Sequence, residues 1–302
     1  MIVAVIDLGT NTFHLIIAVV DAGLMRILHK ETVGVQLGRN RINENIITGE
    51  AFTQGIDTLV CFRELMDSYG VVKVRAVATS AIRNALNGQQ FVAEAAAKAG
   101  IHLEVISGLI EAELIYAGVR ATGIIDATAL TIDIGGGSTE FIIGNNQKIL
   151  WKNSYDIGVA RLQQAFFRSD PISADDHLAI LRHIESVTSD LEKACEEHRP
   201  RLMIGSAGAF ETFAALLYPE DTSPAAAKEL DMARFRSVSQ WLMTSTHQER
   251  ANTKEIIPLR VDMIVMATIL TNYVIDMVKP DRFYLSAYDM KMGMLYTMID
   301  GN

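Results

Sequence analysis

The sequence is poor in cysteine: only Cys61 and Cys195 occur among 302 residues. Neither a disulfide framework nor a CxxC pair is available. That excludes a disulfide-stapled scaffold and fits a reducing, cytoplasmic setting. Both thiols are expected to be buried. Basic charge is also scarce, with 27 Lys and Arg against 36 Asp and Glu and a net charge of −9. Nucleic-acid binders show a basic excess, so no nucleic-acid partner is expected. An acidic chain holds a polyanion only through a local basic patch and a cation. The N-terminus lacks a basic segment, and Asp7 interrupts its apolar run, which argues against a signal peptide. The most apolar stretch, 259–278, carries Arg260, Asp262, Asn272 and Asp276, all costly in lipid. It reads as a helix buried nearly all round rather than a membrane span.

What is present is apolar residue in quantity, 49% of the chain. That exceeds what one compact core usually holds, so two lobes are expected. Strand and helix patterns alternate. Residues 2–7 read as a buried strand, and 13–20 with 25–31 as a hairpin around Asp21-Ala22-Gly23. A helix over 51–69, a strand over 72–79, a helix near 88–99, a strand at 103–107 and a helix over 108–119 follow. Strands at 130–134, 139–144 and 148–155 open a second block. The rest reads as mostly helical, at 158–168, 173–198, 208–217, 231–246 and 259–278. A polar loop (Pro219-Glu220-Asp221-Thr222-Ser223-Pro224) falls between two of these helices. A short strand at 283–286 and a last helix at 290–300 close the chain.

The sequence also echoes itself. Ile6-Asp7-Leu8-Gly9-Thr10-Asn11-Thr12-Phe13 and Ile132-Asp133-Ile134-Gly135-Gly136-Gly137-Ser138-Thr139 each combine an apolar strand, Asp-x-Gly, a small polar turn and a returning strand. Two such turns in matching contexts point to a duplicated lobe. Glycine lets backbone N–H groups approach an anion, and the hydroxyls of Thr10, Thr12 and Ser138 add donors. Facing each other, Gly9, Thr10 and Asn11 on one turn and Gly136, Gly137 and Ser138 on the other would clamp a phosphate. Two ordinary tight hairpins would also account for the glycines. Asp7 and Asp133 sit at strand ends, with Glu140 just beyond the second turn. Carboxylates near phosphate hold Mg²⁺ through few protein contacts and several waters.

Two further segments leave alternatives open. Thr79-Ser80-Ala81-Ile82-Arg83 suits phosphate binding through hydroxyls and a guanidinium fork. A helix N-cap followed by a surface Arg is the other reading, and pattern alone favours it. Ser107 is a plausible N-cap for a helix carrying Glu111 and Glu113. These two lie about 200° apart on a helix, so only one faces a cleft. Pattern alone leaves both as surface glutamates. His177, His183 and His198 match no metal spacing and are expected at the surface or an interface.

Taken together, these segments resemble the exopolyphosphatase / guanosine pentaphosphate phosphatase family, within the actin-like and hexokinase-like superfamily. The resemblance continues through Ile157-Gly158-Val159-Ala160-Arg161-Leu162, Gly205-Ser206-Ala207-Gly208, Pro258-Leu259-Arg260-Val261-Asp262 and 286–295, and so spans essentially the whole chain. It implies an α/β fold of two actin-like lobes around a cleft. The first lobe would span 1–120, with a C-terminal helix from 289–302 packing back on it. The second would span 121–288, with helical additions. Implied roles are Glu111 as the catalytic glutamate that activates water, Asp133 and Glu140 as acids at a Mg²⁺ site, and Asn11, Arg83, Gly136, Gly137 and Ser138 as phosphate ligands. Polyphosphate and guanosine pentaphosphate are the substrates implied, and a homodimer through the helical second lobe is expected. A related kinase or a non-catalytic sensor of phosphorylated nucleotides remains an alternative. The sequence departs from the family pattern at Ile110, where a glutamate is common, at Ala209 for Thr, at Lys291 for Arg and at Met292 for Glu. On this resemblance the chain is expected to be of the short two-lobed type, without the extra helical domain of long members.

Overall fold

Residues Ile2–Leu8 (β1) are aliphatic and mostly buried, as a central strand requires. On one edge β1 pairs antiparallel with β2 (Thr12–Asp21), which pairs antiparallel with β3 (Leu24–Gly34). On its other edge β1 runs parallel to β4 (Lys73–Ala78), and β5 (Leu103–Val105) completes the order β3-β2-β1-β4-β5. The computed structural model describes residues 1–21, 24–206, 208–221 and 225–300, with only the backbone of Ile299 and Asp300. Ala22 and Gly23 of the expected hairpin turn, Ala207, loop residues 222–224 and residues 301–302 lie outside the described residues.

The second sheet repeats the plan. Strands β6 (Ala129–Ile134), β7 (Thr139–Gly144) and β8 (Ile149–Tyr155) form an antiparallel meander. Strand β9 (Leu202–Ser206) then runs parallel to β6, short β10 (Ala227–Glu229) occupies the far edge, and β11 (Arg282–Ser286) lies between them. The order is β10-β11-β9-β6-β7-β8. Asp7 in β1 and Asp133 in β6 occupy equivalent penultimate positions, opposite His14 and Glu140 respectively. The internal echo is thus an architectural repeat: two α/β halves of actin-like topology.

Helices α1 (Gly49–Ser68), α2 (Ser80–Asn84) and α3 (Gly88–Glu94) cover the outer face of the first sheet, over a core that includes Ile6, Phe13, Phe62 and Phe91. Helix α4 (Gly108–Ala121) lies between the two sheets. Helices α5 (Val159–Phe166), α6 (Ala174–Val187), α7 (Ser189–His198), α8 (Gly208–Leu217), α9 (Met232–Thr244), α10 (His247–Ala251) and α11 (Met263–Val278) build the other side of the second sheet. The terminal helix α12 (Met290–Asp300) returns to pack on α4 and β1. Together α4 and α12 fill a third core with Val5, Val77, Ile142 and Ile204 from the two sheets. They cross closely because Gly118 and Gly293 meet there: a Cβ on either would strike the other helix's backbone. No helix among the described residues is long and apolar enough to cross a membrane.

Three expectations are corrected. Residues 202–206, not foreseen as a strand, form the central strand β9. The helix expected over 173–198 breaks at Thr188, whose buried hydroxyl bonds the Ile184 carbonyl at 2.8 Å and the Tyr273 hydroxyl at 3.0 Å. Cys61 is exposed on α1, while Cys195 is buried.

Candidate active site

Both Asp-x-Gly turns and the N-terminal ends of α4 and α12 converge on one cavity of about 220 Å³ between the sheets. Asp7, Gly9, Thr10, Asn11, Glu111, Asp133, Gly136, Gly137 and Ser138 line it, with Ser80, His14, Asp289 and Lys291. Arg83 and Glu140 stand directly behind this lining. Arg83 Nη1 donates to Glu111 Oε2 at 3.1 Å and to the Ile106 carbonyl at 2.9 Å. Glu140 faces Asp133 across the β6–β7 ladder.

The glycines are needed for proximity, not for positive φ, which none of Gly135, Gly136 and Gly137 adopts. A Cβ on Gly136 would lie 2.7 Å from Asn11 Nδ2, and one on Gly137 2.5 Å from Ser80 Oγ. The two turns therefore face each other at contact distance. Their backbone is held from behind by α5. Val159 N–H donates to the Gly135 carbonyl and Ala160 N–H to the Gly136 carbonyl, each at 2.9 Å. In a trans peptide the next N–H points opposite to the carbonyl. The N–H groups of Gly136 and Gly137 are thus directed away from α5, on the side of the cavity their residues line.

Of the two glutamates on α4, Glu111 faces inward and is buried, whereas Glu113 pairs with Lys152 at the surface. Ser107 caps the helix, its Oγ accepting from Ile110 N at 3.3 Å, so position 110 serves the cap through its backbone alone. The segment following β4 is not a capped helix with a surface Arg. Thr79 Oγ1 bonds the Leu8 carbonyl at 3.2 Å instead of capping. Ser80 Oγ is buried without a partner, as is Asp7 Oδ1.

Carboxylates outnumber cations here. Burial pushes Asp7 up to about 6, opposed by Lys291, and Asp133 up to about 8, against the bond from Ser206 at 2.9 Å. Burial and then the charge of Asp133 push Glu140 up to about 7, although Ser154 Oγ donates to it at 2.7 Å. Burial raises Glu111 well above the ordinary glutamate value, Glu140 adds to this, and Arg83 opposes it. Asp289 is the exception: its partner Lys291, 2.6 Å away, holds it below the usual range despite burial. Lys291 is in turn raised by Asp289 and Asp7. His14, bonded to the Thr12 and Thr32 hydroxyls, is pushed by burial down to about 3 and stays neutral.

No cluster of three or more Asp, Glu, His or Cys side chains among the described residues is gathered as a metal cage. The donors are nevertheless hard oxygens, one of them orphaned, and burial raises the pKa values of Asp7 and Asp133. That fits Mg²⁺, which takes one or two carboxylates and completes its shell with phosphate and water. The site residues expected from the sequence all fall at or directly behind this cavity. Ser80, Asp289 and Lys291 join them. Lys291 was visible in the sequence only as a departure from a pattern, and Ser80 only as part of a segment open to two readings.

Fold and cavity define a two-lobed α/β protein of actin-like architecture, with a cleft lined by two glycine turns and by carboxylates. A model of the Ppx/GppA phosphatase family matches residues 16–301, and the chain belongs to that family. Exopolyphosphatase 2 of Mycobacterium tuberculosis is 34% identical over 275 residues, covering 87% of this chain and 86% of that protein. The crystal structure of an exopolyphosphatase from Cytophaga hutchinsonii is 38% identical, with a TM-score of 0.97 over 100% of this chain and 98% of that one. A guanosine-5′-triphosphate,3′-diphosphate pyrophosphatase from Pseudoalteromonas translucida is 30% identical over 218 residues, which cover 72% of this chain and 44% of that protein.

Proposed function

We propose that the protein is an exopolyphosphatase, hydrolysing the terminal phosphoanhydride of inorganic polyphosphate and releasing orthophosphate. The observation that carries the reading is a cavity holding two facing glycine turns and the inward glutamate Glu111, bonded by Arg83. The terminal phosphate is received by Asn11, Thr10 and the N–H groups of Gly136, Gly137 and Ser138, with the unpartnered Ser80 hydroxyl as a further donor. Arg83 orients Glu111 and offers its remaining N–H groups to phosphate oxygens.

Glu111 accepts a proton from water as the water oxygen attacks phosphorus in line. The bond from phosphorus to the bridging oxygen breaks, and the shortened chain leaves with that oxygen. Positioning and charge neutralisation supply most of the rate in such a transfer. Asp133, Asp7 and Glu140 would hold Mg²⁺, which when bound neutralises phosphate charge that these carboxylates would otherwise repel. Lys291, locked by Asp289, keeps one positive charge in the cavity.

Guanosine pentaphosphate presents the same terminal anhydride, and the Pseudoalteromonas relative carries this second reading. Phosphate release from tripolyphosphate, long-chain polyphosphate and guanosine pentaphosphate, each with Mg²⁺, separates the two. Faster turnover of either polyphosphate supports the first reading. Turnover confined to the nucleotide replaces it with the second.

A further inference from the structure

Arg161 projects from α5 and is buried between the lobes. Its Nε donates to the Gly137 carbonyl at 2.9 Å, Nη1 to the Ile42 carbonyl at 3.0 Å and Nη2 to Asn45 Oδ1 at 3.2 Å. Gly137 belongs to the phosphate-facing turn of the second half, whereas Ile42 and Asn45 belong to a turn of the first. The contact is reinforced in both directions. Asn43 Nδ2 donates to the Arg161 carbonyl at 3.1 Å, Gln164 Nε2 to the Gly38 carbonyl at 2.8 Å, and Ile42 N to Gln164 Oε1 at 3.2 Å.

We propose that Arg161 is a positioning residue that makes the grip on phosphate depend on docking of the 42–45 turn. It completes a series. Val159 and Ala160 hold the carbonyls of Gly135 and Gly136, and Arg161 holds that of Gly137. By the same peptide geometry, fixing the Gly137 carbonyl aims the Ser138 N–H away from α5, beside those of Gly136 and Gly137. Three successive N–H groups then face an anion, and the third is set by a side chain whose other nitrogens reach across to the first lobe. Stability gives little reason for a guanidinium here. Its sole carboxylate neighbour among the described residues, Asp156, is 3.9 Å away and largely exposed, so its bonds go to neutral oxygens. Replacing buried charge by apolar groups is often neutral or stabilising. The inference rests on the phosphate-binding reading above, but not on the identity of the polymer.

The test is calorimetric binding of tripolyphosphate with Mg²⁺, which requires no turnover, in a Glu111→Gln parent. Arg161→Lys and Asn45→Gly are added singly and together. Asn45 has a φ of 55°, which glycine adopts freely, and it does not line the cavity. Arg161→Lys is expected to weaken binding about tenfold or more, in the range of a lost charge-assisted hydrogen bond. Asn45→Gly weakens it less, and the double variant falls short of the product of the two. Should Arg161→Lys fail to fold, Asn45→Gly with thermal melting carries the test alone. Equal affinity in parent and variants overturns the latch while leaving the phosphate site intact. Absence of binding by the parent removes both.

Discussion

At the scale of single residues, burial raises the pKa values of Asp7, Glu111, Asp133 and Glu140 above those of ordinary carboxylates. Glu111 must lose its proton to act, so kcat is expected to fall as pH drops, with an ascending limb well above the ordinary glutamate value of 4.5. Arg83 is what lowers the Glu111 pKa. Arg83→Gln should therefore move that limb to higher pH, in addition to raising KM, as a pH series of kcat and kcat/KM reads directly. Asp133 bears on stability. Its folded pKa, about 8, lies above the ordinary 3.8. Its contribution is fully present below about 3.8 and is lost as pH rises through about 8. Without divalent cation the free energy of unfolding should fall across that window, by up to about 1.4 kcal/mol per pH unit for this one group, and the melting temperature should fall with it. Asp133→Asn, which can keep the Ser206 bond, should flatten the fall. A wild-type stability that rises with pH there would contradict the assignment.

At the scale of elements, what was legible had a periodic or punctuated signal. The strands β1 and β6 stood out because apolar runs end in Asp-x-Gly, and α4 because Ser107 marks its start and only one of its glutamates could turn inward. Strand β9 was missed. Leu202-Met203-Ile204-Gly205 is a short apolar run buried on both faces, and such a run has no alternation to distinguish it from helix. The break at Thr188 was missed because a buried threonine hydroxyl returning to its own helix leaves no mark in the hydrophobic pattern. Ser80 was ambiguous for a related reason: N-capping and anion binding favour the same residue types. At this scale Gly118→Ala is a sharp test. Its Cβ would meet the Asp289 carbonyl, next to Lys291, so it should cost roughly 1–3 kcal/mol or more in chemical denaturation and also depress activity. Gly123→Ala, at a φ of 76° in open space, should cost less and leave activity unchanged.

At the scale of the whole molecule, an acidic protein accepts a polyanion only when the cleft's own charge is offset. Among the described residues at or directly behind the cavity, Asp7, Asp133, Glu140, Glu111, Asp289 and Glu211 outnumber the cations Arg83, Arg260 and Lys291. Mg²⁺ affinity should therefore rise with pH between 6 and 8 as Asp7, Glu140 and Asp133 ionise, with protons released on binding. Calorimetry in two buffers of different ionisation enthalpy detects that release. Chelation should abolish turnover, and restored Mg²⁺ should recover it. The central claim is that this cleft hydrolyses a terminal phosphoanhydride with Glu111 as the base. Its most direct test is phosphate release from tripolyphosphate by wild type and by Glu111→Gln, with binding of the same ligand measured in both. The account predicts turnover lowered by at least about 10²–10⁴-fold, with affinity retained within a few-fold. Turnover surviving in Glu111→Gln would contradict it.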